Sequence, residues 1–559
     1  MSKLRLYLST MRYLRPKQMV YYALRRFLPV HRTVSPSDPP RMRSGIHVKW
    51  PFLATPTRNG DYEFCFLNYS KTFEDGHMDW ASASMSKLWR YNLHYFDYVN
   101  DGSRSEQSAG KLITSWIEHN PTDTEDAWEP YTVSLRIVNW IKFFLKTRLT
   151  AKLPDQWLDS LYQQAFWLEQ NIEHHILANH YLKNGKALYF AGLFFEGRDA
   201  QGWLKKGIKI LSEECDEQIL SDGGHYERSP MYHSIVVVDY LDVLNLLLSS
   251  RISADSSMVD HLIAKTITAL EYLDKICLPD GNIPLFNDSA FDIAPPPEKI
   301  FDYALGVIGH ARTPHVRDLS VTVKPESGYY IIRNDNDMII VDCGPVGPVY
   351  QPGHAHCDTL SYELSINARR VIVDSGVHDY EKGTHRTYAR STRAHNTVSV
   401  DNHEQSEMWG EFRVGRRAKP ISASARRLDE QHARFEGSHD GFRRLPGAVV
   451  HQRTVDYDIR YGWTIEDRVI GSGHHMVESF IHFHPDLNAT IKENRIILAD
   501  TQDVPVATIE VCDGVDIMLD KGWYFPEFGK KVNNIVVTIR ESGNLPLRIQ
   551  YKINKASAR

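Results

Sequence analysis

The spacing of apolar residues changes once along this chain, near residue 320, and this change constrains the fold more than any other feature. From about 105 to 312, apolar residues recur at helical spacing, in stretches such as TVSLRIVNWIKFFLKTRL and SIVVVDYLDVLNLLLSS. Short breaks separate these stretches, and consecutive helices with short connections pack antiparallel. Beyond about 320, apolar and polar residues alternate, as in half-buried strands. The sequence therefore predicts a bundle or toroid of helices followed by an antiparallel β-sandwich.

Three segments follow from this pattern. We expect a basic helix with an irregular or β lead-in over 1–84, the helical domain over 85–318, and the sandwich over 319–559. Two hairpins are predicted in the sandwich, with the four-residue polar turns NDND and NARR between their strands.

The amino terminus is strongly basic, because eight lysines and arginines precede the first acidic residue, Asp38. Tyr, Arg and Lys interrupt every apolar run, which argues against a secretory signal and predicts a cytoplasmic protein. Apolar residues at helical spacing predict an amphipathic helix; they are Leu4, Tyr7, Leu8, Met11 and Leu14. We expect this helix to pack its apolar face on its own domain. Peripheral contact with an anionic membrane or polymer is the alternative.

Composition excludes several classes of protein. A net charge of −5 provides no overall basic field for nucleic acid. The six cysteines are scattered without a CxxC pair, which argues against a disulfide framework or a zinc ribbon. The sequence contains no run of eighteen or more apolar residues, so it predicts no membrane-spanning helix. The 26 histidines instead suggest acid/base or metal chemistry.

The densest polar cluster is GHAHCDTLSYEL, followed by VIVDSG and STRAHNT. His354 and His356 are two residues apart, so on a strand both side chains would leave the same face. Asp374 and His395 lie at the ends of predicted neighbouring strands. Two imidazoles and a carboxylate suit a zinc ion, although a hydrogen-bonded cluster that holds strand ends together is equally consistent with the spacing.

Two further clusters lie in the helical half. Asn179 and His180 fall where one predicted helix gives way to the next, so they either cap a helix or donate hydrogen bonds to an anion. In DGGHYERSPMYH, Tyr226, Tyr232 and His233 surround the amino terminus of a helix, a position that favours anions. Asp222 and Glu227 in the same motif could also form the carboxylate pair of a glycosidase.

Together these motifs, with NHYLKNGKALYFAGLFF, IPLFNDSA and RSTRAHNTV, resemble the heparinase II/III family of polysaccharide lyases, which includes alginate-lyase-like bacterial enzymes. The resemblance is strong over roughly residues 85–420. It implies an α + β multidomain protein with an N-terminal incomplete (α/α) toroid and a C-terminal antiparallel β-sandwich. It also implies a cleft between the two, an acidic polysaccharide substrate, no organic cofactor, and cleavage by β-elimination next to a uronic acid.

The resemblance assigns roles to individual residues. Asn179 and His180 would hold and neutralise the uronate carboxylate, while Tyr232 would be the leading acid/base and His354 the second, across the cleft. Tyr388 would be a further catalytic tyrosine, with Tyr380 as the alternative. Substrate contacts are expected from Tyr226, Tyr380, Arg390 and Arg393, with Arg386 also near them in sequence. The metal-binding positions of the family, which imply one structural zinc ion, are His356, Asp374 and His395.

Two departures from the family pattern and three alternative functions stay open. Lys183 stands where related sequences often have Glu; it either favours a more anionic polymer or faces solvent. The expected cytoplasmic location departs from the periplasmic or exported lyases of the family and suggests a role in exopolysaccharide or capsule biosynthesis. The alternatives are a uronate C5-epimerase, a non-catalytic polysaccharide-binding protein of a polymer biosynthesis system, and a glycoside hydrolase that uses Asp222 and Glu227.

Overall fold

The structure, a computed structural model, describes residues 3–27, 39–54, 60–74, 77–122, 124–148, 152–250, 256–313 and 317–556. Arg32 and Asp38, which belong to the predicted basic segment and its boundary, lie outside the described residues.

Helices occupy the first half of the chain. They are α1 (Lys3–Met11), α2 (Pro16–Phe27), α3 (Lys87–Tyr95), α4 (Glu106–His119), α5 (Pro130–Thr147), α6 (Asp155–Gln170), α7 (Ala178–Phe194), α8 (Arg198–Gln218), α9 (Pro230–Ser249), α10 (Ser256–Ile276) and α11 (Pro297–Ile308), with a short α12 (Thr384–Ala389) in the second half. Helices α3 to α11 share one apolar core. The predicted helical domain is therefore present, whereas its closure into a toroid stays a prediction.

Helices α7 and α8 approach each other closely enough to require glycine at the contact. A Cβ atom on Gly192 of α7 would lie 2.4 Å from the Leu204 nitrogen, and one on Gly207 of α8 would lie 2.5 Å from the Tyr189 nitrogen. Because backbone atoms cannot yield as a flexible side chain can, these glycines fix how α7 lies in the domain. The first turn of α7 carries Asn179 and His180.

Helix α9 is apolar and long enough, by composition, to cross a membrane, but 83% of its most apolar window is buried inside the protein. It is thus a core helix. Pro230 occupies its first turn, and the Ser229 hydroxyl accepts a hydrogen bond from the Tyr232 amide at 3.2 Å. This cap fixes the position at which the Tyr232 side chain leaves the helix.

Among the described residues, the strands occupy most of the second half of the chain, apart from four short ones that lie in the first half. They are β1 (Arg41–Met42), β2 (Glu63–Phe66), β3 (Tyr69–Thr72), β4 (Phe195–Glu196), β5 (Ser320–Lys324), β6 (Tyr329–Asn334), β7 (Asp337–Asp342), β8 (Tyr362–Ile366), β9 (Arg369–Ile372), β10 (Val398–Val400), β11 (Met408–Trp409), β12 (Arg413–Val414), β13 (Pro420–Arg427), β14 (His432–His439), β15 (Val450–Asp458), β16 (Gly462–Ile470), β17 (His474–His482), β18 (Leu487–Lys492), β19 (Arg495–Asp500), β20 (Pro505–Val511), β21 (Asp516–Tyr524), β22 (Val532–Asn544) and β23 (Leu547–Lys555).

The three larger sheets are antiparallel and pack on a common core, which confirms the predicted β architecture. The largest sheet has the order β13-β14-β15-β16-β23-β20-β19-β18, beside a meander β5 to β9 and a sheet β10-β17-β22-β21. Apolar residues from all three sheets share one core. The Tyr330 ring of the meander, for example, lies 5.1 Å from the Phe435 ring of the largest sheet.

The two predicted hairpins form, but their turns are shorter than the predicted four residues. Asn334 pairs with Asp337, and Ile366 pairs with Arg369, so each turn holds two residues. Positive φ angles at Asn367 (52°) and Ala368 (62°) match the twist of a tight hairpin. Charged residues that resembled turn residues are instead part of strand β9.

The prediction that the amino-terminal helix packs its apolar face on its own domain is wrong. Helix α1 has no buried residue, and α2 buries only Gln18. Gln18 of α2 donates to the carbonyls of His175 and Ile176 at 3.4 Å, and the Tyr7 ring of α1 lies 4.7 Å from the Trp409 ring. Most of the other large apolar side chains of the two helices face solvent.

Candidate active site

A cavity of about 730 Å³ lies where the helical half meets the sheet half. Helices α3, α5, α7 and α9 form one side of it, and loops from the sheet half complete it. Its polar and aromatic lining includes Tyr131, Asn179, His180, Lys183, Tyr232, His354, Tyr380 and Phe412. A concave, mostly apolar pocket with a few convergent polar groups is the usual form of a ligand site.

Tyr232 and His354 are in direct contact at this cavity. Their rings stack with centroids 4.0 Å apart, and the Tyr232 hydroxyl lies 3.1 Å from the Tyr380 hydroxyl. The predicted position of His354 across the cleft from Tyr232 is therefore wrong. His354 and His356 also do not lie on a strand, since they belong to the connection between β7 and β8, which reaches the first turn of α9. Burial raises the pKa of Tyr232 well above its ordinary value, which keeps the hydroxyl protonated.

Asp288 orients His354. Its Oδ2 atom lies 2.9 Å from His354 Nδ1, and its Oδ1 atom lies 2.8 Å from His356 Nε2. Arg386 donates two further hydrogen bonds to the same carboxylate. Burial opposes ionisation of Asp288, but Arg386 and the two imidazoles outweigh burial and hold its pKa well below the ordinary value. An ionised carboxylate only accepts, so His354 donates its Nδ1 proton and leaves Nε2 as a base.

Asn179 and His180 leave the first turn of α7 towards the same cavity. The residues just before them, Leu177 and Ala178, have φ angles of 63° and 56°, a strained conformation that is often found at functional sites. The backbone N–H of Asn179 donates to Glu227 Oε1 at 3.4 Å, which leaves its side-chain amide at the cavity. Glu227 lies with its other oxygen 3.5 Å from His354 Nε2, and burial raises its pKa.

Glu173 supports a positive charge on His180. Its Oε1 atom lies 3.0 Å from His180 Nδ1, and its Oε2 atom accepts from Asn184 at 3.2 Å. Burial lowers the pKa of His180, but Glu173 outweighs burial and the net shift is upward. Burial raises the pKa of Glu173, but the charge of His180 and the hydrogen bonds from His180 and Asn184 outweigh burial and lower it. The pair therefore favours the protonated form of His180, whose side chain is one third exposed and lines the cavity.

Lys183 does not face bulk solvent, which was one of its two expected positions. It lines the cavity and lies 2.7 Å from Asp239. Lys186 bridges Asp239 and Asp242, at 2.9 and 2.6 Å. Burial lowers the pKa of Lys183, and Asp239 partly opposes that shift. Lys183 therefore adds its charge to a neutralised network in the cavity wall.

Two of the predicted tyrosines lie away from the cavity. The Tyr388 hydroxyl accepts a hydrogen bond from the Trp523 amide at 3.3 Å, and its ring packs on the Trp523 ring. The Tyr226 hydroxyl lies 3.1 Å from that of Tyr350, and neither residue lines the cavity. Tyr380, the alternative to Tyr388, occupies the position beside Tyr232.

The predicted arginine contacts with substrate are not formed either. Arg390 is buried and donates to the carbonyls of Ala355 and Gly410, at 3.2 and 2.9 Å. Arg393 is half exposed and pairs with Asp520 at 3.0 Å. Neither lines the cavity, because their guanidinium groups are engaged by backbone carbonyls or by a surface carboxylate.

The three predicted metal ligands are fully buried. His395 Nδ1 lies 2.7 Å from Asp374 Oδ2, and the rings of His356 and His395 are 5.3 Å apart. His356 Nδ1 and His395 Nε2 are buried ring nitrogens without a hydrogen-bond partner. Leaving such atoms unpaired is costly, and each imidazole is held by a carboxylate on its other side, as in carboxylate–histidine–zinc arrangements. Burial lowers the pKa of His356 to about 4, so its ring is neutral, as a metal ligand must be. The two unpartnered ring nitrogens and the neutral His356 suit zinc, whereas Asp374 outweighs burial and raises the pKa of His395.

A different group brings three ligand atoms within 4.8 Å of one another: His378, Asp379 and His385. The Lys531 ammonium lies 3.4 Å from His385 Nε2. This charge opposes a cation in the cluster, whereas the buried set of His356, Asp374 and His395 does not bring three ligand atoms within 4.8 Å of one another.

The carboxylate pair of a glycosidase does not form. Asp222 accepts hydrogen bonds from the Ser327 amide and hydroxyl, at 2.8 and 2.9 Å, and does not line the cavity. A hydrolase needs two carboxylates on opposite sides of the scissile bond. Glu227 does not line the cavity either, although its carboxylate lies 3.5 Å from His354 Nε2.

Sequence reasoning missed Asp288, Glu173 and Tyr131. Asp288 could have been predicted from the sequence, because it belongs to the IPLFNDSA motif that contributed to the family resemblance. Glu173 and Tyr131 carry no motif. They join the site only because the fold brings α5 and the α6–α7 connection beside His180, whose ring lies 4.4 Å from that of Tyr131.

Comparison with known families covers nearly the whole fold. The family model described as Heparinase II/III N-terminus matches residues 58–294, and the model described as Heparinase II/III-like, C-terminal matches residues 317–552.

The chain is similar to several curated proteins. It is 25% identical over 374 residues to the heparin-sulfate lyase of Pedobacter heparinus, which covers 58% of this chain and 55% of that protein. The heparin-sulfate lyase of Bacteroides thetaiotaomicron is 26% identical over 404 residues, 61% of this chain and 57% of that protein. The alignments with these lyases thus span little more than half of their length. FtsZ-localized protein C of Caulobacter vibrioides is 22% identical over 505 residues, 85% of this chain and 83% of that protein.

Solved structures agree in fold. A crystal structure of heparinase III superposes with a TM-score of 0.71 at 18% identity and covers 100% of this chain and 93% of that one. Heparan sulfate lyase HepC from Pedobacter heparinus gives 0.58 at 19% identity, over 89% and 82% of the two chains. At these identities the superpositions establish the fold alone.

Proposed function

Because the chain belongs to the heparinase II/III-like family, we propose that it is a polysaccharide lyase that cleaves a uronic-acid-containing polysaccharide by β-elimination. One observation carries this proposal: Tyr232, His354 and Tyr380 converge with Asn179 and His180 on a single cavity. A protein that only binds a polysaccharide has no use for an oriented base beside a protonated acid.

The first requirement of the reaction is to make the C5 proton of the uronate removable. The carboxylate at C5 is negatively charged and resists further negative charge. The Asn179 amide and the His180 imidazolium would hydrogen-bond this carboxylate and neutralise it as charge develops. Glu173 would keep His180 protonated for that task.

Proton transfer then needs a base and an acid close together. The Nε2 atom of His354 would take the C5 proton, and the electrons of that bond would form the C4–C5 double bond. The C4–O4 bond would break, and the Tyr232 hydroxyl would protonate the departing oxygen. Tyr380, 3.1 Å from Tyr232, would relay a proton back to it.

The relatives support a polyanionic substrate. Those most relevant here are named heparin-sulfate and heparan sulfate lyases. With His180 at the cavity, these names lead us to propose a uronate polymer with anionic substituents as the substrate class. An acidic exopolysaccharide is included in that class.

Product analysis tests the reaction type. Incubation with heparan sulfate, heparin, other polyuronates and acidic bacterial exopolysaccharides should give fragments with an unsaturated uronate end, detected by NMR. Fragments with saturated ends would indicate hydrolysis. An intact polymer that gains deuterium at C5 in heavy water would indicate the epimerase, and both results would contradict the proposal.

Replacing Glu173 by Gln should shift the pH dependence of kcat/KM. The pKa of His180 is raised in the native protein by Glu173, so the contribution of protonated His180 is present at low pH and lost as the pH rises through that pKa. Without the carboxylate, the pKa of His180 should fall, and we expect the alkaline loss of activity to begin at a lower pH. The pH profiles of the two enzymes provide the measurement.

Glu213→Gln is the matched control, because Glu213 is an exposed α8 residue that does not line the cavity. Its profile should match that of the unmodified enzyme. If the alkaline side of the pH profile of Glu173→Gln did not shift, His180 would not be the cation that binds the substrate carboxylate.

We also propose that His356, Asp374 and His395 hold one zinc ion. When bound, the ion would cross-link the β7–β8 connection to the strand ends beneath the cavity, and it would satisfy the two unpartnered ring nitrogens. Elemental analysis of purified protein should find about one zinc per chain, and a chelator should lower the thermal midpoint.

His395→Ala should lose the metal, whereas His378→Ala, in the partly buried cluster beside Lys531, should keep it. A full chain that contains no metal and whose thermal midpoint is indifferent to a chelator would leave the three residues as a plain hydrogen-bonded cluster.

A further inference from the structure

The two amino-terminal helices expose an apolar surface that the proposed lyase reaction does not use. We call the outward faces of α1 and α2 the N-terminal helix surface. Its large apolar side chains are between 42% and 80% exposed; they are Leu4, Tyr7, Leu8, Met11, Met19, Val20, Tyr22, Leu24 and Phe27. Soluble proteins seldom leave so many large apolar residues together in water, and such patches mark interaction sites.

The same surface is uniformly basic. Between residues 3 and 27 there is no Asp or Glu. The cations of this segment are Lys3, Arg5, Arg12, Arg15, Lys17, Arg25 and Arg26. The chain as a whole is acidic, with a net charge of −5, so the positive charge is a local property of these two helices.

The two helices are attached to the body of the protein rather than free of it. The Trp409 indole donates to the Thr10 hydroxyl at 3.1 Å, and the Tyr7 ring lies 4.7 Å from the Trp409 ring. Arg15 pairs with Glu217, and Arg25 donates to the Asn171 carbonyl at 2.9 Å. These contacts direct the remaining apolar side chains outward.

We propose that the N-terminal helix surface binds an anionic lipid membrane, with α1 and α2 lying in the plane of the interface. Apolar residues on one face of a basic amphipathic helix enter the headgroup region, while Lys and Arg contact anionic headgroups. Leu4, Leu8 and Met11 lie on one side of α1, as this arrangement requires.

Other occupants fit the surface less well. An acidic polysaccharide would satisfy the cations but would leave the nine apolar side chains in water. A second copy of the chain would bring two basic surfaces together and meet charge repulsion. Only a partner that is both anionic and apolar matches the two properties at once.

Vesicle sedimentation with the full-length protein tests the proposal. The protein should sediment with vesicles of phosphatidylglycerol and phosphatidylcholine, bind weakly to phosphatidylcholine alone, and lose affinity as salt is added. The double variant Leu8→Glu/Phe27→Glu should bind the anionic vesicles at least tenfold more weakly. Tyr461→Glu, which changes a 70% exposed ring in the sheet half, is the matched control and should bind normally.

Two charge variants separate the electrostatic part of the membrane interaction from the apolar part. Arg5→Gln and Arg26→Gln should each weaken binding to anionic vesicles about fivefold. None of these residues lines the cavity, so circular dichroism and lyase activity on a soluble polymer should stay unchanged, which separates this proposal from the proposed function.

The proposal is overturned by a protein that does not bind anionic vesicles, or by variants that bind them as well as the unmodified chain. Binding of heparin through this surface without vesicle binding would assign it to a polymer and would also overturn the proposal.

Discussion

Replacing Tyr232 by Phe is expected to lower turnover of a uronate polymer by about a hundredfold or more. The phenyl ring retains the stacking contact with His354, at 4.0 Å between centroids, so the fold of the cavity should persist. Only the hydroxyl that would protonate the departing O4 is lost, together with its contact to Tyr380. The loss should therefore appear in kcat, with an unchanged free energy of unfolding to within about 1 kcal/mol.

Tyr226→Phe provides the matched control for this substitution. Tyr226 lies in the same DGGHYERSPMYH motif and is equally buried, but its hydroxyl contacts Tyr350 outside the cavity. We expect turnover within a few-fold of the unmodified enzyme. If Tyr232→Phe also kept near-normal turnover, Tyr232 would have no role as the acid, and the proposed mechanism would be wrong.

Replacing Asp288 by Asn is expected to destabilise the protein by roughly 3–5 kcal/mol. The carboxylate is fully buried and neutralises Arg386 while it holds His354 and His356 in position. An amide keeps the shape but not the charge, so the Arg386 guanidinium is left buried without a counter-ion. Urea unfolding measures the change, and turnover should fall as well because His354 loses the group that fixes its tautomer.

Two comparisons isolate the charge effect. The double variant Asp288→Asn/Arg386→Gln should recover part of the lost stability, since the unpaired charge is removed. Asp280→Asn should cost less than about 1 kcal/mol, because Asp280 is partly exposed and its partner Arg370 keeps Glu363. A loss below about 1 kcal/mol for Asp288→Asn would mean that the carboxylate is not the counter-ion that the geometry indicates.

Much of the architecture is predictable from the sequence because apolar spacing reports secondary structure directly. The helical half and the antiparallel half follow from that spacing alone. The NARR turn was predicted too long because Arg370 resembles a turn residue, whereas its guanidinium pairs with Glu363 inside the protein. The amino-terminal helices were misplaced for a related reason: amphipathic spacing shows that a helix has an apolar face, not what that face contacts.

The site was predictable where a motif fixes a residue at an element boundary. Asn179, His180 and Tyr232 each lie in the first turn of a helix, and the structure directs all three to the cavity. Tyr388 was preferred to Tyr380 because it lies just before the AHNT motif, but closeness in sequence does not show which hydroxyl reaches Tyr232, and the structure places Tyr380 there. The position of Arg390 in the sequence likewise did not show that its guanidinium donates to backbone carbonyls of the protein and does not reach the cavity.

The most direct test of the proposed lyase activity is the ultraviolet absorbance of a conjugated uronate, followed over time in mixtures of the enzyme with each polymer of the substrate panel. We expect the absorbance to rise with at least one uronate polymer for the unmodified enzyme and for Tyr226→Phe, and to stay flat for Tyr232→Phe. Cleavage of a polymer by the unmodified enzyme without any rise in absorbance, or an equal rise with Tyr232→Phe, would contradict β-elimination at this site.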